Sequence, residues 1–330
     1  MGLVGLTSRP STTTGTMAIY PTTCRMSELR SNRNEVDDLR EGNRTRVIAN
    51  KSDVPHADDS MFSVAGKTVV ITGVLGQIGS SYAESLVHLG AKVAGIDLNS
   101  QVALTDQIPK RLVDLEQESF MLLGGDITNR QSLEDALGEI ENRWSSPSGL
   151  INNAAIDAPP SVSGSNSGTF EDFPVDALRK MMDVNILGTV VACQVFGGRM
   201  AQNGHGSIVN ISSIYGLLSP DQRIYDFRRE DGETFYKPVG YAVTKSAILN
   251  LTRYLATYWA RQNVRVNTLT PGGVHNDQDP RFVVNYSAKV PMGRMATPSD
   301  LHGAIAFLLS DSSKYMTGTN LIVDGGYCAW

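Results

Sequence analysis

The chain has 330 residues, 41% of them hydrophobic and 19% charged, with a formal net charge of -5. That is enough apolar material for a sizeable core, and it argues against both a disordered chain and a nucleic-acid binder, which needs a clustered basic face. Three widely spaced cysteines (Cys24, Cys193 and Cys328) and 5 scattered histidines argue against a disulfide framework and a zinc site and favour a reducing, cytoplasmic setting; no apolar run reaches the roughly 18 residues of a membrane span.

Residues 1–61 differ from the rest of the chain. Ser, Thr, Arg and Asn dominate, hydrophobic periodicity is missing, and charges crowd residues 32–46. This composition predicts a disordered extension. Two alternatives stand beside it. The stretch before Glu28 has Arg9, Arg25 and several threonines but no acid, as in an organellar transit peptide, and the native start could instead be Met61.

From residue 62 the pattern changes. Residues 67–72 (KTVVIT) form a short, β-branched apolar run that predicts a buried strand. Glycines follow, then a helix over 80–89 with Ala83, Leu86 and Val87 at helical spacing, then a second strand over 91–96. Further strands are predicted at 121–125, 149–151, 207–211, 264–268 and 320–323, with helical stretches between them, notably at 175–196, 241–261 and 299–309. Alternation of strand and helix implies a parallel sheet covered on both faces. The expected architecture is α/β, a doubly wound Rossmann fold forming a single domain over residues 62–330.

The first strand runs into Gly73-Val74-Leu75-Gly76-Gln77-Ile78-Gly79. Glycines there let the backbone turn sharply beside a pyrophosphate, and the helix after them offers N–H groups to its negative charge. An ordinary βα turn would look similar, but the position after the first strand and before a helix favours dinucleotide binding. Asp97 stands at the end of the second strand, where an acid can accept hydrogen bonds from the ribose hydroxyls of NAD and repel the extra phosphate of NADP. The alternative is that Asp97 caps the next helix. NAD(H) is therefore favoured, with NADP(H) open.

Tyr241 and Lys245 begin the helix predicted over 241–261, and a spacing of four puts both on one face. An ammonium beside a phenol favours the phenolate and draws a group that ionises near 10 towards neutral pH. A surface Tyr–Lys pair would read the same in isolation. Its company distinguishes it: Ser212-Ser213, Asn152-Asn153-Ala154-Ala155 and Pro271-Gly272-Gly273 each come after a strand. In an open parallel sheet, ligands bind beyond the carboxyl ends of the strands.

Together these motifs resemble the short-chain dehydrogenase/reductase family over nearly all of residues 62–330. The resemblance is carried by the turn at 72–79, Asp126 in Gly-Asp-Ile-Thr, residues 152–155, Asn185 in Asp-Val-Asn-Ile, Ser213, Tyr241 with Lys245, Pro271-Gly272 and Val323-Asp324-Gly325-Gly326. It implies that Tyr241 exchanges a proton with the substrate oxygen. Lys245 would hold the nicotinamide ribose and lower the phenol pKa, Ser213 would hydrogen-bond the substrate oxygen, and Asn185 would position a relay water. Cofactor contacts are implied for Gly73, Gly76, Gln77, Ile78 and Gly79, for Asp97, and for Asp126 and Ile127 beside the adenine. They are implied also for Asn153, Ala154, Ala155, Tyr241 and Lys245, and for Pro271, Gly272 and Val274 beside the nicotinamide. No metal is implied. Gln77 departs from the glycine usual in the one-domain branch, Ala155 from a common glycine and Asn276 from a common threonine; none removes a catalytic group.

Segment 219–238, between Ser213 and Tyr241, is longer than the connection needs and carries Asp221, Arg223, Tyr225, Arg228, Arg229, Glu230, Asp231 and Glu233. It is expected either to help form the substrate pocket, with its arginines binding substrate, or to be a solvated loop. The ending at 324–330 and Gly293-Arg294-Met295-Ala296 resemble gluconate-dehydrogenase-like members, and the long segment resembles dehydrogenases of surface-sugar and flagellin modification. The expected reaction interconverts a secondary alcohol and a carbonyl on a small polar, sugar-like substrate. The alternatives are a 3-oxoacyl-thioester reductase and a non-catalytic dinucleotide-binding scaffold. A homodimer or homotetramer is implied, with Ala247, Ile248, Leu251 and Leu255 serving either that interface or the core; no nucleic-acid or membrane partner is expected.

Overall fold

Short runs rich in apolar residues pair side by side, all parallel. They are β1 (Thr68–Thr72), β2 (Lys92–Asp97), β3 (Phe120–Gly124), β4 (Gly149–Asn152), β5 (Gly206–Ile211), β6 (Val264–Pro271) and β7 (Asn320–Val323). Their order is β3-β2-β1-β4-β5-β6-β7, which is the doubly wound arrangement expected. Growth of the sheet reverses between β1 and β4, and a crevice opens there at the carboxyl ends. The computed structural model describes residues 59–98, 108–115, 118–157 and 168–330. The extension expected over 1–61 lies outside the described residues, apart from a 3-10 turn at Asp59–Phe62.

Successive residues of a strand point to opposite faces, so one sequence supplies two cores. Val70, Ala94, Ile96, Leu150, Ile208 and Val266 are buried on one face, while Val69, Ile71, Val93, Ile151, Val209 and Leu269 are buried on the other. Helices α1 (Gln77–His88) and α6 (His302–Leu309) cover the second face through Tyr82, Ala83, Leu86, Ile305 and Leu308. The first face is covered by α2 (Arg130–Arg143), α3 (Val175–Asn203) and α4 (Val239–Trp259). Ile248 and Leu255 of α4 are buried at 2% and 8% exposure, so of the two roles considered for them the core is the one they fill.

Helix α2 shows a regular amphipathic face in Leu133, Ala136, Leu137 and Ile140, and the Asn129 side chain caps its start by accepting from Ser132 N at 3.3 Å. Helix α3 is long and apolar enough to cross a membrane by length and composition. Its Met181, Ala192, Cys193, Phe196 and Met200 are instead buried, and most of them lie in the core under the sheet. Two stretches of α3, Asp183–Gly188 and Cys193–Gly197, are wound as wide π turns.

A third cluster stands beside the site. It joins Ile214 and Tyr215 to Ile224, Tyr225, Phe227 and Phe235 of the insertion and to Phe282 and Tyr286 of α5 (Pro280–Ser287). The insertion is therefore a packed subassembly and not a solvated loop.

Candidate active site

The glycine turn is held in shape before any ligand arrives. Gly73 adopts φ +67°, and a Cβ there would lie 2.7 Å from Ala154 Cα. A Cβ at Gly79 would lie 2.3 Å from Gly73 O. Thr72 Oγ1 accepts from Asn153 N and Ala154 N, both at 3.1 Å, and Asn153 Nδ2 donates to Thr72 O at 3.2 Å and to Gly73 O at 3.0 Å. Gln77 Nε2 donates to His275 O at 2.6 Å and links the turn to the loop after β6. Gly76 caps α1 without a side-chain hydrogen bond, so the first amides of that helix face the crevice with no side chain over them. This small-residue cradle fits a dinucleotide pyrophosphate.

Asp97 accepts from Leu75 N at 3.0 Å, which sets its carboxylate at the mouth of the turn. Asp126 folds back on its own loop, accepting from Thr128 N at 2.9 Å and Thr128 Oγ1 at 2.7 Å. Ile127 is 8% exposed and lies where a Cβ on Gly188 would touch it, so little of its surface is left for an adenine ring.

Ser213, Tyr241 and Lys245 line one cavity of about 330 Å³. Gln77, Ile78, Asn153, Ala155, Pro271, Gly272 and Val274 line the same space. The Ser213 hydroxyl accepts from Tyr215 N at 3.2 Å and shares the cavity wall with the Tyr241 side chain. Lys245 Nζ donates to Ile211 O at 2.9 Å and stands 5.8 Å from the centroid of the Tyr241 ring.

Burial pushes the Tyr241 phenol well above its ordinary value, the Asp157 carboxylate adds to that rise, and the Ser213 hydroxyl opposes it. Burial brings Lys245 down to about 8, with Asp157 opposing. The ammonium expected to lower the phenol pKa is thus itself neutral where the unliganded phenol ionises, and its pull is confined to lower pH.

Asn185 does not line the cavity. It sits in the first wide turn of α3, where Oδ1 accepts from Ile156 N at 2.8 Å and Nδ2 donates to Ile156 O at 3.0 Å and Thr244 Oγ1 at 3.0 Å. Both amide hydrogens are committed, so the side chain can offer a water only an acceptor.

Two residues at the cavity wall escape sequence reasoning. Lys237 Nζ donates to Asp157 Oδ1 at 2.6 Å and lies 4.8 Å from the Tyr241 ring centroid, nearer than Lys245. Both line the cavity, together with the aromatic rings of Tyr215, Tyr225, Phe282 and Tyr286. A signal was present: Lys237 precedes Pro238, the N-cap of α4, one turn before Tyr241. The three arginines expected to bind substrate turn elsewhere. Arg223 pairs with Asp221, Arg228 with Glu233 and Arg229 with Asp226, and none of them lines the cavity.

Comparison with known proteins fits this geometry. Residues 73–328 match a family model described as enoyl-(acyl carrier protein) reductase. The chain is 31% identical to 2-(S)-hydroxypropyl-CoM dehydrogenase 3 of Xanthobacter autotrophicus over 273 residues, covering 80% of this chain and 97% of that one. A crystal structure of a short-chain dehydrogenase from Leptospira borgpetersenii with bound NAD+ is 34% identical, with a TM-score of 0.68 and coverage of 82% and 96%. A gluconate 5-dehydrogenase from Burkholderia cenocepacia, in complex with NADP and tartrate, is 27% identical, with a TM-score of 0.69 and coverage of 82% and 98%. With the glycine cradle, the Ser–Tyr–Lys arrangement and these matches, the chain belongs to the short-chain dehydrogenase/reductase family.

Proposed function

We propose that this chain is an NAD(P)-dependent oxidoreductase that interconverts a secondary alcohol and a carbonyl on a small polar, sugar-like substrate. The observation that carries the reading is that Ser213, Tyr241 and Lys245 meet at the wall of a cavity that also takes in Gln77 and Ile78 of the glycine turn. A nicotinamide dinucleotide, when bound, supplies the hydride chemistry. Gly73, Gly76 and Gly79 let the backbone approach its pyrophosphate, and the Asp97 carboxylate favours NAD(H) by accepting from ribose hydroxyls. Ser213 holds the substrate oxygen. Tyr241 gives a proton to that oxygen in reduction and takes it in oxidation. Lys245, anchored on Ile211 O, would hold the cofactor's ribose, and Asn185 would act on the proton relay through the Ile156 main chain it grips.

The substrate side is polar and aromatic, with Asp157, Lys237, Tyr215 and Tyr225 around about 330 Å³, which suits a hydroxylated ligand. The gluconate 5-dehydrogenase likeness supports the same class. The family model's description supports an acyl-thioester reductase as the second reading. We read the protein as a cytoplasmic homo-oligomer, with Val243, Tyr254 and Tyr258 of α4 exposed for assembly.

The test is a panel of sugar acids, polyols and 3-oxoacyl thioesters monitored at the reduced-nicotinamide absorbance band. Polyols or sugar acids should turn over, and Tyr241→Phe should lose roughly 10²- to 10⁴-fold in kcat with cofactor binding kept. Cofactor binding with no turnover across the panel would instead favour a scaffold.

A further inference from the structure

The polar groups of the insertion converge on residues 235–237. The Gln222 side-chain amide grips the Lys237 main chain on both sides, Oε1 accepting from Lys237 N at 2.8 Å and Nε2 donating to Lys237 O at 3.3 Å. Arg229 Nη1 donates to Phe235 O at 2.8 Å, and the Arg228 guanidinium lies 3.9 Å from the Phe235 ring centroid. Phe235 itself is fully buried. What this framework delivers is one buried ammonium, that of Lys237, 4.8 Å from the Tyr241 ring centroid and paired with Asp157 at 2.6 Å. Lys237 and Tyr215 also form the partition between the site and a neighbouring hollow of about 820 Å³.

We infer that the insertion serves to hold Lys237 against Tyr241, making Lys237 a positioning residue for the acid–base phenol and Asp157 its counterweight. The inference rests on the proposed acid–base role of Tyr241. A cation near the ring favours the phenolate, and a carboxylate disfavours it. Among the described residues, the other groups facing Tyr241 are Ser213 and Tyr215 from the loop after β5, Tyr225 from the insertion, Lys245 from α4 and Tyr286 from α5. Burial pushes Tyr215, Tyr225 and Tyr286 upwards, so these three are neutral at working pH.

The two halves of one ion pair should therefore act in opposite directions. Breaking the pair from either side damages packing alike, whereas only charge gives opposite signs. The measurement is nuclear magnetic resonance of full-length, NAD+-loaded protein carrying tyrosine labelled at Cζ, with the Tyr241 signal assigned from Tyr241→Phe. Its midpoint should fall by roughly one to two pH units in Asp157→Asn and rise, or leave the stable range, in Lys237→Met. Lys237→Arg should stay near the parent, and thermal melting of each variant monitors folding. Shifts of the same sign in the two variants, or a Tyr241 signal in Asp157→Asn that titrates as in the parent, overturn the inference. Full turnover by Tyr241→Phe would instead remove the underlying assignment of Tyr241, a separate result from the order of these midpoints.

Discussion

Lys245 carries a charge that the fold would rather not hold. Its ordinary value of 10.5 falls to about 8, so the folded chain has lost this proton across a window where the unfolded chain still binds it. Stability rises with pH wherever the unfolded state binds more protons. The unliganded protein should therefore gain stability as pH rises from 8 towards 10, up to about 3 kcal/mol for the whole shift. Urea midpoints of the parent and Lys245→Met along this range check it, and equal slopes would refute it. Tyr241, Lys245 and Ser213 were legible because each sits in a local motif. The Asp157–Lys237 pair was not, because its members are 80 residues apart and only the folded insertion brings them together. The insertion's arginines misled for a related reason: charge in a sequence does not say whether its partner is a ligand or a neighbouring acid.

Among the elements, the glycine turn makes a sharp contrast. An added methyl at Gly79 would stand 2.3 Å from Gly73 O and 2.9 Å from Asn153 Nδ2, whereas one at Gly76 meets only Gly73 O at 3.4 Å. Gly79→Ala should lose at least about tenfold in NAD(H) affinity and destabilise by roughly 1–3 kcal/mol, while Gly76→Ala changes stability by less than about 1 kcal/mol. Calorimetric titration and melting separate the two, and equal effects would mean that the turn relaxes freely. In the insertion, the Arg228 side chain is 4% exposed and that of Arg223 is 80% exposed. Arg228→Ala should cost about 2 kcal/mol and lower kcat by loosening Lys237, whereas Arg223→Ala should stay within about 0.5 kcal/mol with unchanged KM. All seven strands were readable from sequence: the inner ones, buried on both faces, show as continuous apolar runs, and the half-buried edge strands β3 and β7 keep short apolar runs of their own. Their ends were less so: β6 reaches Pro271 where the apolar pattern suggested 268, since strand pairing with β7 extends it.

At the scale of the whole molecule, burial pushes up the ionisation of six phenols among the described residues: Tyr82, Tyr215, Tyr225, Tyr241, Tyr286 and Tyr327. Unfolded phenols ionise near 10, so above that pH the folded chain keeps protons the unfolded chain releases, and stability must fall. The melting temperature should drop steeply between pH 10 and 11 after its gentler rise, and a flat profile would contradict the buried placement of these rings. One consequence of the two wide turns in α3 also belongs at this scale. Each such turn accommodates one residue more than a regular ladder, and an α-helix rotates about 100° per residue. Excising a single residue from 183–188 would let the helix close into a regular ladder with Cys193, Phe196 and Met200 still in phase with the sheet, whereas excision from a regular stretch of α3 would rotate the residues after it by about 100°. Kin of this chain should therefore tolerate a gap of one at either wide turn more readily than in the regular stretches of the same helix.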